Sequence, residues 1–246
     1  MRRLIILIFL PLFFGCSQQS ENHPIFKYYP SEGVFEEGYI SKYYLHYYPD
    51  NPDAFPGTEI EYTKYQKLND TLFKTEGYNA GFELINNRFY SVEANKLSVV
   101  KGMGVNPRDV ADTTELNILN GSHSVWEGAK EEPYQQQYEW GGEQYIYTEN
   151  QLSVADTTIL NKQAKVFHYQ WNYRKADSDS IFNEGTTSSY FVQGIGFYGA
   201  DTKGSSYRRK VELMEQMPLK EFKKQANHGE HRVAWIDQTK TISDDT

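Results

Sequence analysis

Apolar and polar residues alternate at every second position through much of the chain that follows residue 27. The segment 39–48 shows this pattern first, with Tyr39, Tyr43, Leu45 and Tyr47 on one face. A period of two is that of a β-strand, whose successive side chains point to opposite faces. Similar short segments, separated by turn-forming residues, follow along the chain and predict a mostly β protein. The expected fold is an antiparallel meander that forms either a sandwich or an open half-barrel.

Polar and glycine-containing clusters mark the turns between these segments. Five residue pairs are predicted to turn the chain between strands: Asn69-Asp70, Asn86-Asn87, Asn95-Lys96, Glu149-Asn150 and Asn161-Lys162. The interval 102–120 is less regular, with Pro107 and few large apolar residues, and it reads as a long loop or a boundary between two halves. We therefore expect one β-rich domain over residues 28–246, which a break near 102–120 would divide into halves.

One segment, 218–226, has the pattern of a helix. Pro218 suits the first helical position, and Leu219, Phe222 and Ala226 form an apolar stripe. The sequence therefore predicts one short helix near the C-terminus, followed by a last strand and a polar tail.

The N-terminus departs from the strand pattern. Arg2 and Arg3 precede an uncharged apolar run over residues 4–15, and Cys16 stands at its end, before the polar residues 17–22. This is the layout of a secretory signal, because the run is shorter than the ~20 apolar residues that cross a bilayer.

Gly15-Cys16, at the end of that run, resembles the signal of bacterial lipoproteins, which is cut before a cysteine that then carries lipid. The resemblance implies a signal peptide over 1–15, a lipid on Cys16 and a polar tether over 16–27. By the habits of that family, Ser17 implies delivery to the outer membrane, on either its periplasmic or its outer face. An ordinary cleaved signal with a cysteine near the cut is the alternative.

Composition narrows the choice of partners. Without residues 1–15, the chain has 231 residues with 33 acidic against 23 basic side chains, a net charge of −10. An acidic chain argues against binding nucleic acid, whose phosphates attract basic patches. The single cysteine excludes a disulfide within the chain, and the 20 Tyr, 14 Phe and 4 Trp favour strands. The expected partner is the membrane, reached through the lipid anchor.

An aromatic stripe is the first candidate binding site. Phe167, Tyr169, Trp171 and Tyr173 fall on one face of the strand predicted over 164–174. Such a face could stack against sugar rings or wall an apolar cavity. The alternative is that it forms the core face of a central strand, since aromatic faces are common in sheets.

The segment 190–196 places Tyr190 and Phe191 before Gly194-Ile195-Gly196, inside a single strand predicted over 188–198. It is similar to the aromatic strand of periplasmic lipoprotein-carrier half-barrels. That resemblance implies a curved sheet that holds acyl chains. Two glycines that permit a bend in the strand are the simpler explanation.

The remaining residues include few candidates for metal binding or catalysis. His228 and His231, with Asp237 nearby, form the only dense cluster of metal-ligating types, and they flank a Gly-Glu turn. Zinc requires three or four ligands on rigid elements, so no metal and no cofactor are predicted. Nucleophile motifs such as Gly-x-Ser-x-Gly do not occur.

These features lead to one principal function and two alternatives. The principal prediction is a lipid-anchored cell-envelope β protein with a binding or structural role, whose partner is an envelope protein, a glycan or an apolar ligand. A carrier of an apolar ligand requires a concave, aromatic-lined cavity. An extracytoplasmic hydrolase requires His228 or a pair of acids converging in a pocket.

Overall fold

The computed structural model describes residues 23–227, apart from 52–55, 107–108, 121–122, 129, 131 and 141. These residues form fourteen β-strands, two α-helices and one 3₁₀ helix. The predicted fold class, mostly antiparallel β with a short helix near the C-terminus, is confirmed. Cys16, His228 and His231 lie outside the described residues, as does the last predicted strand.

The elements follow one another with short connections. The helical elements are the 3₁₀ helix Pro24–Tyr28, α1 Glu32–Glu37 and α2 Leu219–Asn227. The first seven strands are β1 Tyr39–Pro49, β2 Gly57–Asn69, β3 Leu72–Asn79, β4 Leu84–Glu93, β5 Lys96–Asn106, β6 Asp109–Glu115 and β7 Asn117–Asn120. The other seven are β8 Ser124–Val125, β9 Tyr134–Trp140, β10 Glu143–Ile159, β11 Lys162–Lys175, β12 Ile181–Val192, β13 Gly196–Gly204 and β14 Tyr207–Pro218.

A single open antiparallel sheet contains all of these strands. Thirteen lie in the order β6-β5-β4-β3-β2-β1-β14-β13-β12-β11-β10-β9-β7, and β8 pairs with β5 off this path. One meander, β1 to β6, and a second, β9 to β14, therefore meet where β1 pairs with β14, with Tyr39 opposite Pro218. The sandwich alternative is wrong, because no second sheet is present among the described strands.

The sheet curls until its two edges approach each other. Strands β6 and β7 lie at opposite edges, yet only Leu116 separates them in the chain, and its N–H donates to the Gly102 carbonyl (2.8 Å). The Gln151 side chain of β10 bonds both backbone groups of Val125 in β8 (2.8 and 2.6 Å). The interval 102–120 was predicted as a long loop or a boundary between two halves. It is not a loop, because it contains the end of β5 and the strands β6 and β7, which carry the chain from one edge to the other, while the division into halves stays a prediction.

Three of the five predicted turns are confirmed to within one residue, and two are wrong. The turns predicted at Asn69-Asp70 and Asn95-Lys96 connect β2 to β3 and β4 to β5. Leu160 and Asn161 have φ of 53° and 57°, as a two-residue type I′ hairpin requires, so the turn predicted at Asn161-Lys162 is present. Asn86-Asn87 and Glu149-Asn150 instead lie inside β4 and β10.

Local hydrogen bonds place the β3–β4 turn at residues 80–83, before the predicted pair. Asn79 Oδ1 accepts hydrogen bonds from the N–H groups of Gly81 (2.9 Å) and Glu83 (3.0 Å), which closes the turn there. An asparagine side chain that bonds the backbone two residues on is a common way to make a turn.

The strand predicted over 188–198 is also wrong, because the chain reverses within it. Gly194 has a φ of 73°, and the Ile195 N–H donates to the Val192 carbonyl (3.0 Å). A glycine adopts this left-handed conformation without a steric penalty. The resulting tight turn joins β12 to β13, so the two glycines serve a hairpin and not a bend within one strand.

The folded part of the chain begins nearer the N-terminus than predicted. Residues 24–27 were expected in the tether, but Ile25 is 2% exposed and Phe26 is 7% exposed inside the 3₁₀ helix. Phe26 packs edge-on against Phe35 of α1, with ring centroids 5.7 Å apart. These two apolar residues are buried in the core because burial removes their side chains from water. This part of the tether prediction is therefore wrong. Helix α1 was not predicted either.

The inner face of the curled sheet carries the larger core. Residues from both meanders and from the N-terminal segment meet there, so this face is the inside of the curl. Its buried members are Ile25, Phe26, Tyr28, Tyr29, Phe35, Tyr39, Tyr65, Phe73, Val92, Leu97, Trp126, Phe167 and Tyr169.

Helix α2 covers part of the outer face. Phe222 packs between Tyr62 (5.4 Å between ring centroids), Tyr78 (5.3 Å) and Phe82 (5.4 Å). The apolar stripe of α2 is the one predicted from the sequence, and its residues Phe222 and Ala226 are buried. None of the helices in the described part of the chain is long and apolar enough to span a membrane.

A buried ion-pair cluster lies on this outer face. The Glu76 carboxylate contacts Lys64 Nζ (2.9 Å) and Lys74 Nζ (3.0 Å) and accepts a hydrogen bond from the Tyr78 hydroxyl (2.9 Å). Burial alone would raise the pKa of Glu76, but the two ammonium groups outweigh it and lower the pKa below 4.5. Its charged form is therefore favoured in the folded state.

We expect Glu76→Gln to destabilise the protein by about 3 kcal/mol at pH 7, because two partly buried lysines lose their shared counter-charge. Because folding lowers this pKa, the contribution is complete above the unfolded value and disappears as the pH falls through the folded value. The difference in unfolding free energy between wild type and variant should therefore shrink below about pH 4.5. Urea denaturation over a pH series measures it.

Glu221→Gln is the matched control, since its contact with Lys224 (3.7 Å) is exposed. It should change stability by less than about 0.5 kcal/mol. Equal effects of the two substitutions at pH 7 would show that the Glu76 cluster contributes nothing beyond a surface pair.

Candidate ligand-binding cavity

A cavity of about 360 Å³ lies against the inner face of the sheet. Its lining comes from both meanders, from the N-terminal segment and from the residues just before β8. The site therefore exists only because β1 and β14 join the meanders and the sheet curls. Its volume is near the lower end of the range for small-molecule sites.

Aromatic rings form one part of the lining. Tyr29 stacks on Phe35 (4.7 Å between ring centroids), and Phe73 stacks on Tyr90 (4.9 Å). In the second meander, Phe191 and Phe197 are 5.5 Å apart. Apart from Phe35, which supports Tyr29 from below, all of these rings line the cavity. We call them the aromatic floor.

The aromatic stripe of β11 lies on the same inner face. Phe167 is fully buried against Trp126 (5.0 Å) and belongs to the core. Tyr169 is also buried, but it lines the cavity. Trp171 Nε1 donates to Thr187 Oγ1 (3.0 Å), and Tyr173 packs on other aromatic rings. The stripe thus contributes to the core and, through Tyr169, to the cavity wall, while ligand binding by it stays a prediction.

Charged side chains line the rest of the cavity. Glu61, Arg88, Glu149 and Arg209 all face it, together with His123. The ion pairs found among the described residues involve lysines and one histidine, and neither of these two guanidinium groups. Charges inside a protein are normally paired or hydrogen-bonded, because burial removes their hydration.

Several polar atoms of this lining are buried without a hydrogen-bond partner among the described residues. They are Arg88 Nε, His123 Nδ1 and Glu149 Oε1. Glu149 is 8% exposed, and its other oxygen accepts a hydrogen bond from the Tyr147 hydroxyl (2.7 Å). Unsatisfied buried groups are rare in folded proteins, and three of the six found among the described residues lie around this one cavity, which points to a bound molecule or water there.

Burial also changes how these groups ionise. Burial raises the pKa of Glu61, although Arg209 and Arg88 oppose the change. Burial lowers the pKa of His123, which is therefore neutral at pH 7. It lowers the pKa of Lys130 to about 8, and Lys130 Nζ donates to the carbonyls of His123 (3.2 Å) and Glu149 (3.4 Å). The two guanidinium groups stay charged at any physiological pH, and Arg88 is the less exposed of the two.

The described residues contain no group of three His, Cys, Asp or Glu side chains that could hold a metal. The two histidines considered as weak candidates lie beyond them, so that expectation is untested. The hydrolase alternative required an acid pair in a pocket, and Glu61 and Glu149 do share the cavity.

The polar residues of the cavity were missed from the sequence. Glu61 sits in β2 at the same face as Tyr65, and Glu149 sits in β10 at the same face as Tyr145 and Tyr147. The signal that could have identified them is a charged residue at a position where the alternation of the strand calls for an apolar one. It was hidden because the sequence does not show which face of each strand is the inner one.

No protein-family model matches the sequence, and no curated protein matches it significantly. Two crystal structures are similar in fold. One, provisionally described as a lipoprotein from Parabacteroides distasonis, has 8% identity and a TM-score of 0.45 over 77% of this chain and 98% of that chain. The other, provisionally described as an outer membrane lipoprotein-sorting protein domain from Vibrio parahaemolyticus, has 8% identity and a TM-score of 0.34 over 74% of this chain and 85% of that chain. Both TM-scores are low, so neither similarity bears on the function of this chain.

Proposed function

We propose that this chain is a lipid-anchored protein of the cell envelope that binds a small amphiphilic ligand in the cavity of its curled sheet. The observation that carries the binding role is the set of buried, unpartnered polar atoms on Arg88, His123 and Glu149 around one cavity. The anchor and the envelope location rest on the signal that ends at Cys16.

A purely structural role explains this cavity poorly. Unpaired buried charges destabilise a fold, and apolar residues of similar volume would fill the same space without that penalty. A site that binds a ligand tolerates them, because the ligand supplies the missing partners. The stability lost in the empty protein is then regained on binding.

The two kinds of lining define the ligand. The aromatic floor offers apolar surface, whereas Arg88, Glu61 and Arg209 offer charge. A molecule with an apolar body and a polar head satisfies both. The proposed function is therefore close to the predicted carrier of an apolar ligand. It differs because the ligand carries a polar head group, which an entirely apolar cavity would not accept.

The experiment is a titration with N-phenylnaphthylamine, an uncharged probe that fluoresces in apolar surroundings. The protein is the complete mature chain from Cys16 onward, prepared without lipid. We expect saturable binding by the wild type and its loss in Ser189→Phe, because Ser189 lines the cavity and a phenyl ring there would occupy it.

Ser188→Phe is the control. Ser188 points to the outer face, where its hydroxyl lies 2.9 Å from His168 Nδ1. The Ser188→Phe variant should bind the probe as tightly as the wild type does. Absence of saturable binding to the wild type, or equal binding by Ser189→Phe, would contradict the proposal.

A further inference from the structure

The neighbours of Arg88 on the inner face leave room for its long side chain. In β4, Arg88 lies opposite Thr75 of β3 and Gly102 of β5. A Cβ atom at Gly102 would lie 3.2 Å from Arg88 Cγ and 2.8 Å from a methyl carbon of Leu116. A side chain at position 102 would therefore crowd Leu116 first and the stem of Arg88 second, so glycine leaves room for both.

The charge of Arg88 has no direct counter-ion in the described part of the chain. A guanidinium stays protonated at any physiological pH. Tyr90 provides a hydrogen-bonding hydroxyl, and Tyr134 and Tyr147 lie near it, but neutral phenols do not cancel a positive charge. Its Nε is buried and unpartnered. Glu61 and Glu149 share the cavity but make no direct ion pair with Arg88, so the head group of a ligand would supply the direct partner that Arg88 Nε lacks.

The charges around Arg88 limit what that anion can be. Arg209 adds a second positive charge, whereas Glu61 and Glu149 add carboxylates that repel an anion. Because burial already raises the pKa of Glu61, an incoming negative charge would favour its protonated form further. One negative charge is accommodated here more easily than two.

From these observations we propose that the ligand is an amphiphile with a monoanionic carboxylate head, which pairs with Arg88 while its apolar body lies on the aromatic floor. The inference rests on the proposed binding function and names the ligand class for the same cavity. A carboxylate matches the planar fork of a guanidinium with two parallel hydrogen bonds. The small cavity restricts the ligand to a medium-length chain or a compact ring system.

The experiment compares head groups on one chain length. Laurate, dodecanol and dodecyl phosphate compete with N-phenylnaphthylamine for the mature wild-type chain at pH 7. We expect laurate to bind about 10- to 100-fold more tightly than dodecanol, as a charge-assisted hydrogen bond to a desolvated guanidinium allows. Dodecyl phosphate should bind more weakly than laurate, because its second charge meets Glu61 and Glu149.

Variants then assign the preference to Arg88. Arg88→Gln should reduce the ratio of dodecanol to laurate dissociation constants to within about threefold, and Arg88→Lys should retain part of it. Arg209→Gln, at a more exposed position, should reduce the ratio less. The comparison of the three head groups on the wild type stands even if Arg88→Gln fails to fold.

The outcomes separate this inference from the proposed function. If the probe binds but laurate has no advantage over dodecanol, or Arg88→Gln keeps that advantage, the carboxylate inference is wrong and the cavity remains a binding site. Tighter binding of dodecyl phosphate than of laurate also overturns the carboxylate. If neither the probe nor any of the three amphiphiles binds, both proposals are wrong.

Discussion

Replacement of Cys16 by serine is expected to release the protein from membranes into the soluble fraction. The thiol is the only one in the chain, so no other residue can take its lipid. Buried acyl carbons contribute ~0.8 kcal/mol per CH₂, and one chain anchors only marginally whereas two or more anchor stably. The lipoproteins that the signal resembles carry a diacylglyceryl group and usually an N-acyl chain. Fractionation, with mass spectrometry of the mature N-terminus, measures the change.

Ser20→Ala, four residues later in the same polar stretch, is the matched control and should leave the protein in the membrane fraction. Two results would contradict lipid anchoring. One is a Cys16→Ser protein that still resists extraction with high-salt buffer. The other is a wild-type N-terminus at a residue other than Cys16, or one without acyl mass.

Phe35→Ala is expected to destabilise the fold by about 3–5 kcal/mol, the range for removing a buried aromatic ring from a packed core. Phe35 is 1% exposed, and its ring stacks on Tyr29 and contacts Phe26, Phe73 and Tyr39, with centroids 4.7 to 6.0 Å apart. The substitution leaves a void among four rings that the sheet holds in place, so little relaxation can fill it. Equilibrium denaturation in guanidinium chloride measures the loss.

The preceding residue on the same helix is the control. Val34 is 45% exposed, so Val34→Ala should change stability by no more than about 0.5 kcal/mol. If the two substitutions cost the same, the N-terminal segment does not pack on the sheet as described. The same packing fixes Tyr29, which lines the cavity, so the N-terminal segment forms part of the site as well as part of the core.

Much of the local structure follows from the sequence. The alternating pattern identifies the strand β1, because a residue spacing of two is a property of the extended backbone itself. The stripe of Leu219, Phe222 and Ala226 similarly identifies α2, where spacings of three and four put side chains on one face. The turn at Asn161 is also local, since left-handed backbone is tolerated by asparagine. These features depend on neighbours in the chain.

The candidate site does not follow from the sequence, because its parts come together only across distant segments. Tyr169 was among the predicted residues, but Glu61, Arg88 and Arg209 were not. Their side chains share one cavity because β1 pairs with β14. Strand alternation shows which residues share a face and leaves open which face turns inward.

The sequence by itself therefore determined a mostly antiparallel β chain with a short helix near the C-terminus, and it predicts a signal that ends at a lone cysteine. Only the tertiary structure decided that the strands form a single curled sheet, that residues 24–37 pack inside it, and that charged residues of both meanders surround one cavity. The physical reason is that pairing between β1 and β14 is a contact between chain ends. No periodicity or turn signal within either strand specifies that contact.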